Sequence, residues 1–569
     1  MSNSIIPKKE EESSSPKEET FEDILQDTGG FGFYQKRFLF FILNIYYVML
    51  PLSWLNEIFI LNTPEHWCKH PSTEGLSPSE LLRWKECYLT KTEDGRGFES
   101  CEISVPLTLD VDTFWNHSLR FENGLCPERF LIEPCKLGMS YDQSDFVRTI
   151  PTEYGWVCSK KGNIPLAFLA GVIGSIVGTS LYNYLGDVIG RKRMTFISVT
   201  NVLVFSVLKT LSAKHLYVYM AFKALASAAY SSAYQLPFAI IMEISTPKTR
   251  SYGIASTSLA WTLGVCILPL YAWTLNGDWF ILSITSPLPL VLVYCFWNWI
   301  PESPRWLLTK KGDYQEAGRI MLQMARSNNI SPPLDEKAFL ERLKIFSENN
   351  KEQINNFIKE YCNLILTPGL RVKTLCLTLA SIANFYIYYQ IMINIQFNQM
   401  NIFLMFFALS IVEGPGYLLG QLFLELFGRR WTHVGFQAVN VINMLMIIAV
   451  QNTMEDPRIV VSVLCILAKL NSCAGYIVFE VQSTEIFPTP LRTTGIGFTC
   501  LIALIVGLSG PHVVYLGGSA PYIVMGGLCF IASIACIFIP ETKGVTLPET
   551  LEQTSHFELT SKVRSKEVK

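Results

Sequence analysis

The residues in this chain best able to do chemistry stand inside long apolar stretches, where charge is costly. Glu413 lies mid-stretch in Val412-Glu413-Gly414-Pro415, and Lys469 lies in a later stretch. A carboxylate there can offset an organic cation or accept a proton. A lysine there can pair with that carboxylate or bind an anionic group, and a purely structural pair is the competing reading. Breaks at Gly414, Pro415 and Gly416 free backbone groups, which is tolerated where a helix lines a pocket. Aromatic rings accompany these charges: Tyr386, Tyr388 and Tyr389 crowd one stretch, Tyr234 with Gln235 sits in another, and Trp261 in a third. Each aromatic face attracts an organic ammonium by about 0.5–2 kcal/mol, and for any single ring ordinary packing is an equal explanation. Glu480, near the end of the stretch that holds Lys469, reads as a side chain snorkelling toward water. No G-x-x-x-x-G-K phosphate loop, H-E-x-x-H or well-placed G-x-S-x-G occurs, so no enzyme, no cofactor and no metal are expected.

Twelve apolar stretches must position these groups: 38–61, 164–185, 194–213, 216–242, 252–275, 278–300, 374–397, 402–424, 431–451, 459–482, 496–516 and 521–539. Each approaches the roughly 20 residues that a membrane helix needs. Half of the 569 residues are hydrophobic, 17% are charged and the net charge is −2. A soluble chain does not need runs this apolar, and a near-neutral chain gives no footing for nucleic acid. Three patterns recur about 240 residues apart, each just past an apolar run. Gly190-Arg191-Lys192 returns as Gly428-Arg429-Arg430, Glu243 with Arg250 as Glu485 with Arg492, and Pro301-Glu302-Ser303 as Pro540-Glu541-Thr542. Two halves built alike are the usual plan of a secondary transporter with its substrate held between them. The predicted fold is therefore all-α and polytopic: twelve transmembrane helices in two pseudo-symmetric six-helix bundles within a lipid bilayer.

Six of the 15 cysteines, Cys68, Cys87, Cys101, Cys126, Cys135 and Cys158, lie between the first two stretches. An even number in one soluble segment suggests three disulfides in an oxidising, outward-facing compartment, with the pairing open. Asn116-His117-Ser118 in the same segment is a glycosylation sequon. The basic residues Arg191-Lys192-Arg193, Lys248, Arg250, Arg429-Arg430 and Arg492 fall on the opposite side, as the positive-inside bias requires. Both termini are then cytosolic. The organisation reads as a cytosolic segment 1–37, a first bundle 38–300 containing the extracellular segment 62–162, a cytosolic helical segment 301–371, a second bundle 372–540 and a tail 541–569. In the middle segment Ala317, Ile320, Met321, Met324 and Ala325 recur at helical spacing. This predicts a helix lying across the inner face of the bundles. Asn329-Ile330-Ser331 also matches a sequon, but on the cytosolic side it stays bare.

Phe21-Glu22-Asp23-Ile24-Leu25 with Gly30-Phe31-Gly32 and Tyr34-Gln35, then Thr63-Pro64-Glu65-His66-Trp67-Cys68, then Thr149-Ile150-Pro151-Thr152-Glu153 through Val157-Cys158, form a series. It continues with Pro301-Glu302-Ser303-Pro304-Arg305-Trp306-Leu307 and Pro540-Glu541-Thr542-Lys543-Gly544, followed by Leu547-Pro548-Glu549-Thr550. Taken jointly, the series resembles the organic cation, organic anion and carnitine transporters of the major facilitator superfamily, over about residues 21–551. The Glu413 segment is similar to that of the cation and carnitine branches. The resemblance implies a cytoplasmic latch of Asp187, Arg191, Glu243 and Arg250 in one half and Glu425, Arg429, Glu485 and Arg492 in the other; the alternative is that the basic residues only set topology. It also implies a substrate cavity touched by Glu413, Lys469, Tyr388 and Tyr234; Tyr386, Gln235 and Trp261 join these as candidates by residue type and place in the apolar stretches. Departures are Asn183 for glycine, Val188 for arginine, Glu425 for aspartate, and Lys223 for the family's usual arginine, which keeps the charge and loses the fork.

Leu504 is the informative departure. Cation members of the family tend to carry aspartate at this point, and anion and carnitine members arginine. The expected function is a plasma-membrane carrier of small organic ions by alternating access, most simply of organic cations or zwitterions. An organic anion carrier, or a non-transporting receptor or scaffold, are the alternatives. Whether sodium or protons couple to transport is left open by the residues.

Overall fold

The computed structural model describes residues 21–543 except 74, 91–97, 99–100, 108–113, 116–129, 247–248, 331–334, 350–363, 396–399 and 488–490. Backbone amides buried in lipid must be satisfied within their own segment, so spanning segments of this composition become helices. Among the described residues, eleven helices are long and apolar enough to cross a membrane. In chain order they are Phe33–Ile60, Cys158–Ile189, Arg191–Leu211, Tyr252–Thr274, Trp279–Phe296, Pro368–Asn394, Ile402–Phe427, Arg429–Thr453, Arg458–Ile486, Thr494–Leu516 and Ala520–Ile537. The remaining predicted span forms as the 28-residue helix Leu216–Glu243, which Lys223, Ser227, Ser231, Ser232 and Gln235 make more polar. Counting it fourth, the spans are numbered one to twelve below.

Small residues let paired spans approach closely. A Cβ on Gly174 or Gly178 of span two would run into the backbone carbonyls of Ala224 and Ala228 in span four. In the second half, Gly416 and Gly420 of span eight meet the carbonyls of Leu470 and Ala474 in span ten in the same way. The glycines are about 240 residues apart, the spacing of the sequence repeat, so the internal symmetry extends into the helix packing.

Two helices are broken where charge enters them. Pro415 offers no N–H to the carbonyl of Ile411, and span eight divides at Val412 into Ile402–Ile411 and Glu413–Phe427. Span one contains Pro51 and loses its regular turn at Leu55 and Asn56, just before Glu57. Asn56 Nδ2 donates to Ser286 Oγ of span six at 2.6 Å, which fixes the break.

Between spans one and two lies a small soluble unit. Strand His66–Cys68 pairs antiparallel with Met139–Tyr141, and Glu102–Pro106 with Phe130–Pro134. Trp67, Trp84, Ile103, Val105, Phe114 and Trp115 form its core. Disulfides join Cys68 to Cys135 and Cys101 to Cys158, and Cys87 is disulfide-bonded as well. Cys126 and the sequon residue Asn116 lie outside the described residues.

The segment joining the halves carries the helix Tyr314–Ser327, and its five predicted apolar positions are all buried. Asn328, one residue beyond it, holds the start of the chain: it accepts the Tyr34 N–H at 2.9 Å and donates to Thr28 O at 3.1 Å. Arg342 adds an ion pair to Asp27 at 2.8 Å.

Candidate functional site

The break at Val412 places Glu413 at the start of a helix, facing span ten. Lys469 Nζ lies 3.0 Å from Glu413 Oε1, and neither side chain has exposed surface. The same ammonium stands 3.0 Å from the centroid of the Tyr388 ring. Tyr388 Oη in turn accepts from Trp261 Nε1 of span five at 3.3 Å, joining the second half to the first. The structure thus brings Glu413, Lys469, Tyr388 and Trp261 into one cluster. Tyr386 points elsewhere, within 3.3 Å of Ser509 Oγ and inside an apolar core. Gln235 accepts from Asn183, and Asn183 accepts from Ser232 at 3.1 Å. The departure at Asn183 is therefore matched by polar partners on span four.

A second buried charge cluster lies in the first half. Glu57 receives Lys223 Nζ at 2.7 Å, Lys209 Nζ, and the Tyr219 hydroxyl at 3.0 Å. Two ammonium groups share one carboxylate, so the cluster carries a net positive charge. Glu57, Lys209 and Lys223 line a cavity of about 40 Å³ with Trp54, Tyr230, Tyr389 and Leu504. Leu504, from span eleven, faces the two lysines across the division between the halves.

An aromatic bridge connects the clusters. Trp54 stacks on Tyr230 at 5.2 Å and on Tyr389 of the second half at 5.9 Å. Trp261 meets Tyr234 edge-on at 5.5 Å, and Tyr234 meets Tyr47 at 5.3 Å. Glu480 does not reach into open water: it is half-buried and bonded to Tyr476. On the side of the disulfide-bonded unit, Phe59 stacks on Phe403 at 5.5 Å and Phe146 on Phe403 at 5.1 Å, closing the halves against each other.

At the opposite ends of the helices the repeated motifs form two clamps. Arg191 bridges Asp187 at 2.6 Å and Glu243 at 3.4 Å. Glu302 accepts the Lys192 N–H at 3.1 Å, where the amides at a helix start favour an anion. In the second half Arg429 pairs with Glu485 at 3.2 Å, and Glu541 accepts the N–H groups of Arg429 at 2.8 Å and Arg430 at 3.1 Å. Glu425 departs from the expected latch: its side chain is exposed and forms no ion pair among the described residues, while its carbonyl accepts from Lys543. The side chains of Arg250 and Arg492 lie outside the described residues.

Residues 141–553 match the family model described as sugar (and other) transporter. The chain belongs to that family. The transporter is 29% identical to Solute carrier family 22 member 7 of Bos taurus, over 96% of this chain and 98% of the relative. It is 27% identical to Organic cation transporter 1 of Caenorhabditis elegans over 96% and 90%, and 26% identical to the Beta-alanine transporter of Drosophila melanogaster over 94% and 89%. In fold it is similar to the partially occluded inward-open xylose transporter XylE of E. coli, with TM-score 0.55 and 17% identity over 68% of this chain and 90% of that one. The resemblance read from the motifs and the major facilitator fold both stand. The chain is a multi-pass membrane transporter and not an enzyme.

Sequence reasoning missed three parts of the transporter's interior. Glu57 and Lys209 were overlooked although both are charges within apolar stretches, the signal that singled out Glu413. Glu302 and Glu541, which stand in the sequence as parts of the repeated motifs, act as helix caps. A polar network in the second half, with His433 Nδ1 2.6 Å from Gln482 Oε1 and Gln437 Nε2 2.8 Å from Asn384 Oδ1, joins residues too far apart in sequence to suggest each other.

Proposed function

We propose that the transported ion carries a negative group, with a small zwitterion as the favoured form, and that it moves by alternating access between the halves. The carrying observation is the pair Lys209 and Lys223 on the single carboxylate Glu57, lining the cavity that Leu504 also faces. At Leu504 the family's charge-selecting residue is missing, and the surplus positive charge across the cavity supplies an alternative counter-ion for a carboxylate. The aromatic faces of Trp54, Tyr230 and Tyr389 beside it suit an ammonium at the other end of the same molecule. The Drosophila relative named a Beta-alanine transporter agrees with this choice, since β-alanine bears both groups. A cavity of about 40 Å³ has room for a water or two, so loading a solute requires the halves to part.

A second reading rests on a different observation. The Lys469 ammonium sits on the Tyr388 ring beside Glu413, as an organic ammonium would. An incoming cation that displaced Lys469 would find a carboxylate and an aromatic face already arranged, and the relative named Organic cation transporter 1 supports that possibility.

Uptake into proteoliposomes of a zwitterion, an organic cation and an organic anion, by wild type and by the Lys223→Met and Glu413→Gln variants, separates the readings. Loss of one charged hydrogen bond to substrate lowers transport efficiency about 10- to 100-fold. If Lys223→Met loses zwitterion transport to that extent while cation uptake stays low throughout, the first reading holds. If cations are carried and Glu413→Gln abolishes their uptake, the second replaces it. For placement, the positive-inside bias and the disulfide-bonded unit support a plasma-membrane location with cytosolic termini and that unit outside. Protons or sodium as the coupling ion are distinguished by imposing each gradient in the same vesicles.

A further inference from the structure

At the end of the first half remote from the disulfide-bonded unit, a cavity of about 820 Å³ lies among the start of span one, the turn between spans two and three, the end of span six and the helix Tyr314–Ser327. Five basic side chains line it against three carboxylates. Lys311 is held by Asp313 at 3.0 Å and Arg319 by Glu316 at 2.5 Å, and Glu302 is engaged with the Lys192 amide. Arg37, Lys192 and Arg193 have no carboxylate within ion-pair distance among the described residues. Arg37 instead lies 5.7 Å from the ring centroid of Trp299, and Lys192 lies 4.8 Å from that of Trp297. Trp297 and Trp299 are 41% and 53% exposed, and exposed tryptophans at the end of a span mark the headgroup level of a bilayer.

The polar cavity adjoins an apolar one. A crevice formed by Ile42, Ile45, Met49, Val293 and Phe296 shares Ile300 with it. Beyond the crevice, Phe40, Phe41, Val291 and Leu292 are exposed on the faces of spans one and six. The crevice encloses only about 20 Å³ and does not itself hold a chain. A cationic cup bordered by an exposed apolar face fits an amphiphile with an anionic head. We propose that this groove binds the phosphorylated headgroup of an anionic membrane lipid on Arg37, Lys192 and Arg193, with an acyl chain lying along the exposed side chains of Phe41, Ile45 and Val291. A free phosphate shares the headgroup chemistry but has no use for the apolar face. Bound lipid would tie span one, the clamp turn and the inter-half helix together at one point.

The test uses the full chain in detergent and in phosphatidylcholine nanodiscs, with native mass spectrometry as readout. Three probes are compared: long-chain phosphatidylinositol bisphosphate, inositol trisphosphate and inorganic phosphate. The long-chain lipid is expected to be retained, with inositol trisphosphate and phosphate binding at least about tenfold more weakly. Each lost charge is worth about fivefold in affinity, so Arg37→Gln/Lys192→Gln/Arg193→Gln is expected to lower retention on the order of 100-fold. Ile45→Ser is expected to weaken the long-chain lipid and leave inositol trisphosphate unchanged. Retention unaffected by the triple substitution overturns the proposal, as does binding of free phosphate as tight as that of the lipid. If the triple variant fails to fold, Ile45→Ser decides: equal loss of lipid and inositol trisphosphate, or loss of neither, rules out the two-part site.

Discussion

The ammonium of Lys469 is 3.0 Å both from a Glu413 oxygen and from the centroid of the Tyr388 ring. The lysine is thereby committed to the carboxylate and to the aromatic face at once, with no surface exposed to water. Removing one member of such a pair strands the other and costs about 3–5 kcal/mol. Glu413→Gln and Lys469→Met are each expected to lower the thermal stability of the purified protein, and the double variant Glu413→Gln/Lys469→Met to recover much of the loss. Additive losses in detergent melting curves would show that the two side chains do not act as a unit.

The Glu57 cluster is asymmetric, and its variants should be too. Glu57→Gln leaves two ammonium groups without their shared carboxylate, whereas Lys223→Met leaves a one-to-one pair with Lys209. Glu57→Gln is expected to be the more damaging by about 2 kcal/mol or more, seen as a lower melting temperature and less protein at the cell surface. The reverse order would mean that the lysines do not depend on Glu57.

The clamp turns leave no room for a side chain. Gly190 and Gly428 have φ of 113° and 81°, and a Cβ at either would come within 2.5–2.6 Å of the Glu302 or Glu541 carboxylate. Gly190→Ala and Gly428→Ala should each cost about 1–3 kcal/mol in backbone strain and cap displacement. Both are expected to shift the protein between its two access states, measured as a change in cysteine labelling rates on the two sides. Unchanged labelling would show that the clamps set topology alone.

The soluble unit should be acid-sensitive. His70 accepts the Ser72 N–H on Nδ1 at 3.1 Å and donates from Nε2 to Phe114 O at 2.8 Å, an arrangement that requires a neutral ring. Burial holds its pKa below the usual imidazole value. A depressed pKa contributes stability that is present above the unfolded value of about 6.5 and is lost as pH falls through the folded value. Protection factors for amide exchange around Trp84 and Phe114, with the intrinsic pH dependence of exchange divided out, are expected to fall below about pH 6, and His70→Gln to reduce that pH dependence. Protection factors that stay constant from pH 7 to pH 5 would refute it.

Much of the framework was legible because it repeats. A twofold series of motifs and twelve apolar stretches suffice to predict two bundles, and the five apolar positions from Ala317 to Ala325 mark a buried helix face. Span four was harder for a composition measure, since Lys223 and its serines dilute its apolar character, yet its helix forms where the stretch was read. The site was legible only in part. Glu413 and Lys469 stand out as charges, and their partnership was open to reasoning. That Tyr386 turns away from Tyr388 follows from helical phase against a neighbour, which one chain's letters do not give. The trio Glu57, Lys209 and Lys223 comes from three different helices, and its meeting point depends on the break after Pro51. Glu425 differs from the first-half pattern by one methylene and forms no ion pair among the described residues, while Glu485 takes Arg429.

Asn328 bonds to Tyr34 and Thr28, residues some three hundred positions earlier in the chain. This contact sets an order of assembly. When span one leaves the ribosome its partner has not been made, and it remains unmade until all of the first bundle and the helix after it have been synthesised. The first half must therefore enter the membrane with its leading end undocked, and it waits for Asn328 and then for Arg342, the partner of Asp27. Synthesis itself times the closure.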